Sequence, residues 1–286
     1  MNAQVYQLGS LAALSMDGLV DLVNHAYAGY PGPFSPEDAR SYAEFCRVQN
    51  IDLARSVLAA GADGTPIGFG LLGIRQERGW CAEFGVVPAW RRQGVGRALL
   101  DRLLAEARDA GLHDVRLEVA TANTSAQALY QQAGFRVARV LRNYAALASA
   151  LRPPPGENPA RLTLATVDPA TLAMDLGLPP DAAPAWDHEL PALLTGSHAR
   201  TMLALRAGLP VGLIHYQPDP VDVEVRRLAV HPDDPDAALA LLAVAAPRPS
   251  TRLLVAYVAD ASPLAALLPA LGFRELDPDL EMICAL

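Results

Sequence analysis

Apolar residues along this chain change period several times, and each change marks an element. Leu99, Leu100, Leu103, Leu104 and Ala107 recur at helical spacing between Gly96 and Ala110, as in a helix with one buried face. Ahead of them Cys81–Val87 reads as a strand closed by Pro88. Behind them Leu117 and Val119 alternate with Arg116 and Glu118, the period of a half-buried strand. Asn123, Thr124 and Ser125 are helix-start residues, and Gly134 stops the helix that follows. Nearer the N-terminus the pattern predicts a strand near Val5–Leu8 and a helix from about Asp17 to Ala28. A second helical stretch follows Pro36, roughly Glu37 to Gln49, and hairpin strands fall at about Arg55–Ala60 and Ile67–Gln76. This order predicts an α/β (α+β) architecture, a mixed sheet with helices on its faces.

The same plan is written twice. GTPIGFGL at 64–71 resembles GLPVGLIH at 208–215, and ALYQQAGF at 128–135 resembles ALLPALGF at 266–273. FGVVPAW at 84–90 and RLAVHPDD at 227–234 share strand character and a placed proline. A period this long points to duplicated domains rather than a solenoid. Between the copies lies LRPPPGENP, residues 151–159, whose consecutive prolines favour an extended spacer. The division expected is therefore 1–150, a linker at 151–159, and 160–286.

The loop between the first strand–helix pair carries the candidate chemistry. Arg91, Gly94 and Gly96 fit [RQ]-x-x-G-x-[GA] within RRQGVGR, the stretch Arg91, Arg92, Gln93, Gly94, Val95, Gly96 and Arg97. Glycines at this spacing let successive backbone N–H groups converge, and the helix behind them adds its positive end. The result is a cradle for a pyrophosphate, with Arg91, Arg92 and Arg97 adding charge. The plainer alternative is a turn in which glycine only relieves strain.

Taken with the second strand–turn–helix, these residues resemble the GNAT superfamily of acyl-CoA-dependent N-acyltransferases, over about Ile67 to Tyr144. RRQGVGRALL, LEV, the Asn before the short helix, ALY, GF and RNY look most like the ribosomal-protein alanine N-acetyltransferases. The resemblance implies two GNAT-like domains, each a mixed, mostly antiparallel sheet with a splayed central strand pair and helices on both faces. It implies acetyl-CoA as co-substrate, bound by the glycine loop and by Phe84, Gly85 and Val86 along the pantetheine arm. A main-chain N–H near Val86 would polarise the thioester carbonyl, worth about 3 kcal/mol. Tyr130 is the implied general acid and a contact of the cofactor, since a phenol stays protonated at neutral pH. Asn123 holds cofactor or substrate, or only caps its helix. Glu118 is the candidate base, with a salt bridge to Arg116 or Arg92 as its alternative and Glu83 as the fallback base. His25, Tyr27, Tyr30, Pro31 and Phe34 would wall the acceptor, or lie in the core. Attack by the amine in a ternary complex needs no side-chain nucleophile.

Registering the two GF pairs sets Ala256 against Glu118, Ala261 against Asn123 and Leu268 against Tyr130. The second copy has Pro235 and Asp236 in place of the glycine loop, and Asp233, Asp234 and Asp236 would repel a pyrophosphate. A degenerate C-terminal domain that does not bind acyl-CoA is expected. Trp186, Asp187, His188 and Glu189 form a polar-aromatic cluster that either caps the acceptor site or solvates a helix.

Charge and cysteine use narrow the partners. Residues 1–150 hold 14 arginines and 14 acidic residues, whereas 151–286 hold 9 and 17, so the second half carries the whole net charge of −8. That sign excludes a nucleic-acid surface; it would suit a cationic amine, or simply solubility. Every basic residue in the Lys-plus-Arg count of 23 is arginine, a compositional bias. Cys46, Cys81 and Cys284 show no metal spacing, so no metal is expected, and a reduced cytoplasmic setting fits. No basic-then-apolar leader is visible, and the apolar stretch Ala237–Pro247 is too short to cross a membrane. Oligomeric state is left open between monomer and homodimer.

Three functions compete. The first is acetyl transfer to the primary amine of a small molecule. The second is acetylation of a protein N-terminus, as in the ribosomal-protein enzymes; a second domain after RNY at 142–144 weakens it if that domain roofs the acceptor side. The third is a non-catalytic acyl-CoA-binding module. Tandem members with one silent half, among them the mycothiol synthases, have a similar arrangement. They keep their working motifs in the other half, so their substrate is not carried over.

Overall fold

The structure is a computed structural model that describes residues 5–28, 38–154, 161–179 and 184–286. It divides into two compact units, Met1–Arg139 with Leu280–Leu286, and Val140–Asp279. The first contains β1 (Tyr6–Ser10), α1 (Met16–Ala26), α2 (Ala39–Val48), β2 (Val57–Gly61), β3 (Pro66–Arg75), β4 (Arg78–Val86), α3 (Val95–Asp109), β5 (Asp114–Ala120) and α4 (Thr124–Gln132). Strand β6 (Arg136–Leu147) carries the chain into the second unit. There follow β7 (Leu162–Val167), α5 (Leu190–Thr195), β8 (Arg200–Arg206), β9 (Leu209–Gln217), β10 (Asp222–Val230), α6 (Asp236–Ala245), β11 (Arg252–Ala259), α7 (Leu264–Ala270) and β12 (Arg274–Glu275). β13 (Asp279–Ala285) ends the chain.

In the first unit β1 to β4 run antiparallel in sequence order, and β5 joins β4 in parallel. Side-chain alternation on β3 decides where the helices go. A Cβ at Gly68 or Gly70 would meet Leu99 or Leu103 of α3 at 2.9 or 3.1 Å, so α3 packs on that face. Phe69, between them, sits opposite Gly85 of β4, and a Cβ there would lie 3.0 Å from the Cβ of Ala26 on α1. Helices α1 and α3 thus cover opposite faces. The leucine stripe read from the sequence is core: Leu99, Leu100 and Leu103 are fully buried with Phe69, Leu71 and Leu72.

The second unit repeats this plan. β7 to β10 are antiparallel in order, and β10 pairs with β11 in parallel. Gly212 on β9 admits Leu241 of α6 as Gly68 admits Leu99. The register proposed from the GF pairs holds at the start of β5 and β11 and at the GF turns, while the helix between starts two residues later in the second copy. Arg78 faces Asp114 as Asp222 faces Arg252. Phe135 N–H donates to Tyr130 O at 3.0 Å, as Phe273 N–H does to Leu268 O.

The units divide differently from the expected boundary at 150. The last strand, β13, stands beside β5 in the first unit's sheet, while Val140–Leu147 of β6 pair with β11 in the second. Met282 and Cys284 accordingly join the first core, and Tyr144 and Ala146 the second. Of the segment read as a spacer, residues 155–159 lie outside the described residues. Leu151 packs on the second core, and Arg152 N–H bonds Leu271 O at 3.0 Å. No helix among the described residues is long and apolar enough to cross a membrane.

Candidate active site

Strands β4 and β5 part company early. Their pairing covers Arg78 to Trp80 against Asp114 to Arg116 and ends there, leaving the rest of β4 to face a gap. On its other edge β4 carries one extra residue: Gly70 pairs with Phe84 but Leu72 with Cys81, a bulge at Ala82–Glu83. Val87 N–H donates to Ile67 O at 2.9 Å on the β3 side. By strand alternation the N–H and C=O of Val86 then turn toward the gap. Its carbonyl accepts from Arg91 Nε at 3.0 Å.

Helix α3 begins where β4 ends. Gly94 stands at its N-cap with φ +84°, a left-handed conformation that disfavours a Cβ, and a Cβ there would point into open space. No side chain caps this helix and its first turn holds no acid, so the N–H groups of Val95, Gly96 and Arg97 face outward. The three arginines, expected to add charge to this cradle, differ in what they bond within the protein. Arg91 gives its guanidinium to Val86 O and to Ala26 O at 2.7 Å, the C-terminal end of α1. Arg97 pairs with Asp101 at 2.8 Å and reaches Gln132 O at the end of α4. Arg92 is exposed at φ +63°, and among the described residues nothing is seen to hold it. Gln93 bonds Ala89 O within the loop.

Tyr130 and Phe84 are brought together from α4 and β4. Their ring centroids lie 6.2 Å apart, edge to face, with Phe135 5.7 Å behind Tyr130. Gly96 borders the same spot, its Cβ position 3.8 Å from Phe84 and 3.5 Å from Leu129. Asn123 is the N-cap of α4: its Oδ1 accepts from Ala126 N–H at 3.2 Å and from the Ser125 hydroxyl at 3.1 Å. Gly85 has a packing reason to be glycine. A Cβ there would lie 2.9 Å from Phe69 Cε1 and 3.0 Å from Ala26.

The two carboxylates have separate surroundings. Glu118 accepts a hydrogen bond from the Trp80 indole N–H at 2.7 Å, while Arg116 pairs with Asp114. Glu83, at the bulge, accepts from the buried Tyr42 hydroxyl at 2.5 Å. Burial and the Glu83 charge push the Tyr42 phenol far up, so it stays a donor. Burial, with Glu83 and Glu118 respectively, pushes the Cys46 and Cys81 thiols up to about 12. Neither is a thiolate at neutral pH, so neither offers a nucleophile. Sequence reasoning missed Trp80 and Tyr42. Trp80 could have been found from its place two residues before Ala82 on the strand beside Glu118; nothing local links Tyr42 to a residue 41 positions away. Of the expected acceptor wall, Tyr27 packs 6.4 Å from Phe69 and His25 is exposed. Tyr30, Pro31 and Phe34 lie outside the described residues.

The second unit closes the equivalent place with its own chain. Helix α6 starts at Asp236 after Pro235, and Arg206 binds both Asp234, at 2.5 Å, and Asp236, at 2.7 Å. Arg206 ties down two of the loop's three acids, but one guanidinium against three carboxylates leaves the loop net negative. Leu268, the counterpart of Tyr130, is fully buried.

Known proteins are similar to this chain in sequence and in fold. The profile of the Acetyltransferase (GNAT) family matches residues 19–135. The [Ribosomal protein bS18]-alanine N-acetyltransferase of Escherichia coli K12 is 30% identical over 120 residues, 42% of this chain and 72% of that protein. The mycothiol acetyltransferase of Propionibacterium freudenreichii is 33% identical over 137 residues, 46% of this chain and 43% of that one. A solved tandem GNAT protein from the clavulanic acid biosynthesis pathway is similar in fold, with TM-score 0.70 and 17% identity over 98% of both chains. The parted β4–β5 pair, the uncapped glycine start of α3 and these relatives agree: the chain belongs to the GNAT acetyltransferase family.

Proposed function

We propose that this acetyltransferase moves an acetyl group from acetyl-CoA to the primary amine of a small molecule, by direct attack within a ternary complex. The observation that carries the reading is the open N-terminus of α3 next to the Tyr130–Phe84 pair, at the mouth of the β4–β5 gap. Residues Arg92 to Arg97 fit a diphosphate, because uncapped N–H groups and the helix dipole favour an anion there. Arg91 shapes the loop by holding two carbonyls, and Arg92 is the side chain left to meet phosphate. Phe84, Gly85 and Val86 line the pantetheine path, and the Val86 N–H polarises the thioester carbonyl.

Tyr130 gives its proton to the departing sulfur and regains one from the attacking nitrogen as the amide forms, so the leaving group is a neutral thiol rather than a thiolate. Glu118 takes the proton of the ammonium, through water, so that the amine attacks with its lone pair. Trp80 holds that carboxylate in place. Glu83, pinned by Tyr42, serves better to attract a cationic amine than to accept its proton, since a short bond from the phenol already stabilises its charged form. Asn123 fixes the start of α4 and so the height of Tyr130. The second unit's occupied helix start supports a unit that has left acetyl-CoA binding behind.

One observation favours another acceptor: the ribosomal-protein enzyme aligns over 72% of its length. The test is acetyl-CoA-dependent release of free CoA across a panel of small amines and Ala-terminated peptides. Turnover with small amines is expected, with kcat falling about 10²- to 10⁴-fold in Tyr130→Phe. The expected Glu118→Gln variant loses the acidic limb of the pH–rate profile. Turnover confined to peptides would replace the acceptor. Acetyl-CoA binding without turnover, unchanged by Tyr130→Phe, would leave a binding module.

A further inference from the structure

The cluster Trp186–Glu189 does not solvate a helix. Trp186 and His188 are buried, 3% and 6% exposed, in a short turn ahead of α5. His188 lies under Tyr257 of β11, ring centroids 5.7 Å apart. Glu224 of β10 comes to the same place, at the last residue of the short β10–β11 pairing. The imidazole of His188 and one carboxylate oxygen each of Asp187 and Glu224 all lie within 4.8 Å of one another. All three residues belong to the second unit.

An independent feature points to a missing partner. His188 Nε2 is fully shielded from solvent and has no hydrogen-bond partner among the described residues. The nearest carboxylate oxygen, Asp187 Oδ2, stands 3.8 Å away, beyond hydrogen-bond reach. A buried ring nitrogen without a partner is uncommon in a native protein, and an unseen ion is one of its ordinary causes. Arg226 is the neighbouring cation, with a nitrogen 3.1 Å from Glu224, yet its own Nε is also buried without a partner. One guanidinium thus stands against two carboxylates.

We propose that Asp187, His188 and Glu224 form a site for a divalent transition-metal ion of the zinc class, contrary to the expectation that the chain binds no metal. One imidazole nitrogen and two carboxylate oxygens suit zinc or a similar borderline ion. Magnesium and calcium prefer oxygen alone. Three protein ligands leave a coordination position for water or a small ligand. The unit whose helix start is closed to diphosphate thereby keeps a binding centre of its own, at its own strand fork.

The test uses the full chain, stripped with chelator and titrated with zinc sulfate by calorimetry, and with cobalt(II) chloride followed by visible absorption. One zinc per chain at a Kd of about 1 µM or tighter is expected, together with tetrahedral-type cobalt bands. His188→Ala and Glu224→Gln should each weaken binding by at least about 10-fold. Glu224 has a partly exposed side chain, so its amide variant keeps a fold that circular dichroism verifies. Arg226→Gln should tighten binding, since it removes an opposing charge. No saturable zinc binding overturns the proposal. So does stoichiometric binding that survives both His188→Ala and Glu224→Gln, or that weakens in Arg226→Gln.

Discussion

Gly96→Asp separates the stability of α3 from its role as an anion site. A Cβ at this position meets Leu129 at 3.5 Å and Phe84 at 3.8 Å, ordinary contact, so the side chain fits. An acid in the first turn of an uncapped helix is stabilising by about 0.3–1 kcal/mol, and replacing glycine adds a few tenths. The variant should therefore unfold at the wild-type temperature or slightly above it. Its carboxylate would stand about 5 Å from a phosphate seated on the N–H groups, and at an effective dielectric of about 20 that repulsion is about 3 kcal/mol per charge. Gly96→Asn has nearly the same shape without the charge and isolates this term. By calorimetry, the Asp variant should bind acetyl-CoA at least about 100-fold more weakly than the Asn variant. A difference below about 5-fold, with both variants folded, would show that the diphosphate does not rest on this helix.

Two further outcomes follow from packing and burial. Gly85→Ala should destabilise the first unit by about 1–3 kcal/mol, read as a fall in midpoint on urea unfolding, because its Cβ must displace Phe69 or α1. An unchanged midpoint would mean that α1 shifts freely. His215, buried and hydrogen-bonded to Thr201, has its pKa lowered to about 4, by burial first and then by Arg226 and His188. A base depressed in the folded state stabilises the protein fully above its unfolded value of about 6.5, and that stability is lost as pH falls toward 4. Between pH 7.5 and 4.5 the loss from this group is on the order of 2–3 kcal/mol, and His215→Gln should flatten the pH dependence of unfolding.

Much of the site was legible because its parts are local. A glycine loop between a strand and a leucine-striped helix opens that helix's start, and the spacing from Asn123 to Tyr130 puts two turns of α4 between cap and phenol. The repeat was legible for the same reason: Gly68 and Gly212 each clear room for a leucine of the following helix. Long-range pairings were not. Tyr42 on Glu83 and Trp80 on Glu118 join residues about 40 positions apart, and nothing in a linear pattern selects those partners. The arginines' partners were not legible either, because charge alone cannot say whether a guanidinium faces a ligand or a helix end. Arg91 chose the orphan carbonyl of α1.

By itself, then, the sequence determined the elements, their duplication and the glycine-opened start of α3, since each depends on residues a few positions apart. Tertiary structure alone decided which strand completes which sheet. β13 stands beside β5, and the later part of β6 beside β11, because backbone edges are chemically alike until a fold presents one to another. It also decided that Asp187, His188 and Glu224 meet, since this cluster is made by the crossing of a turn and a strand that the chain separates by more than thirty residues.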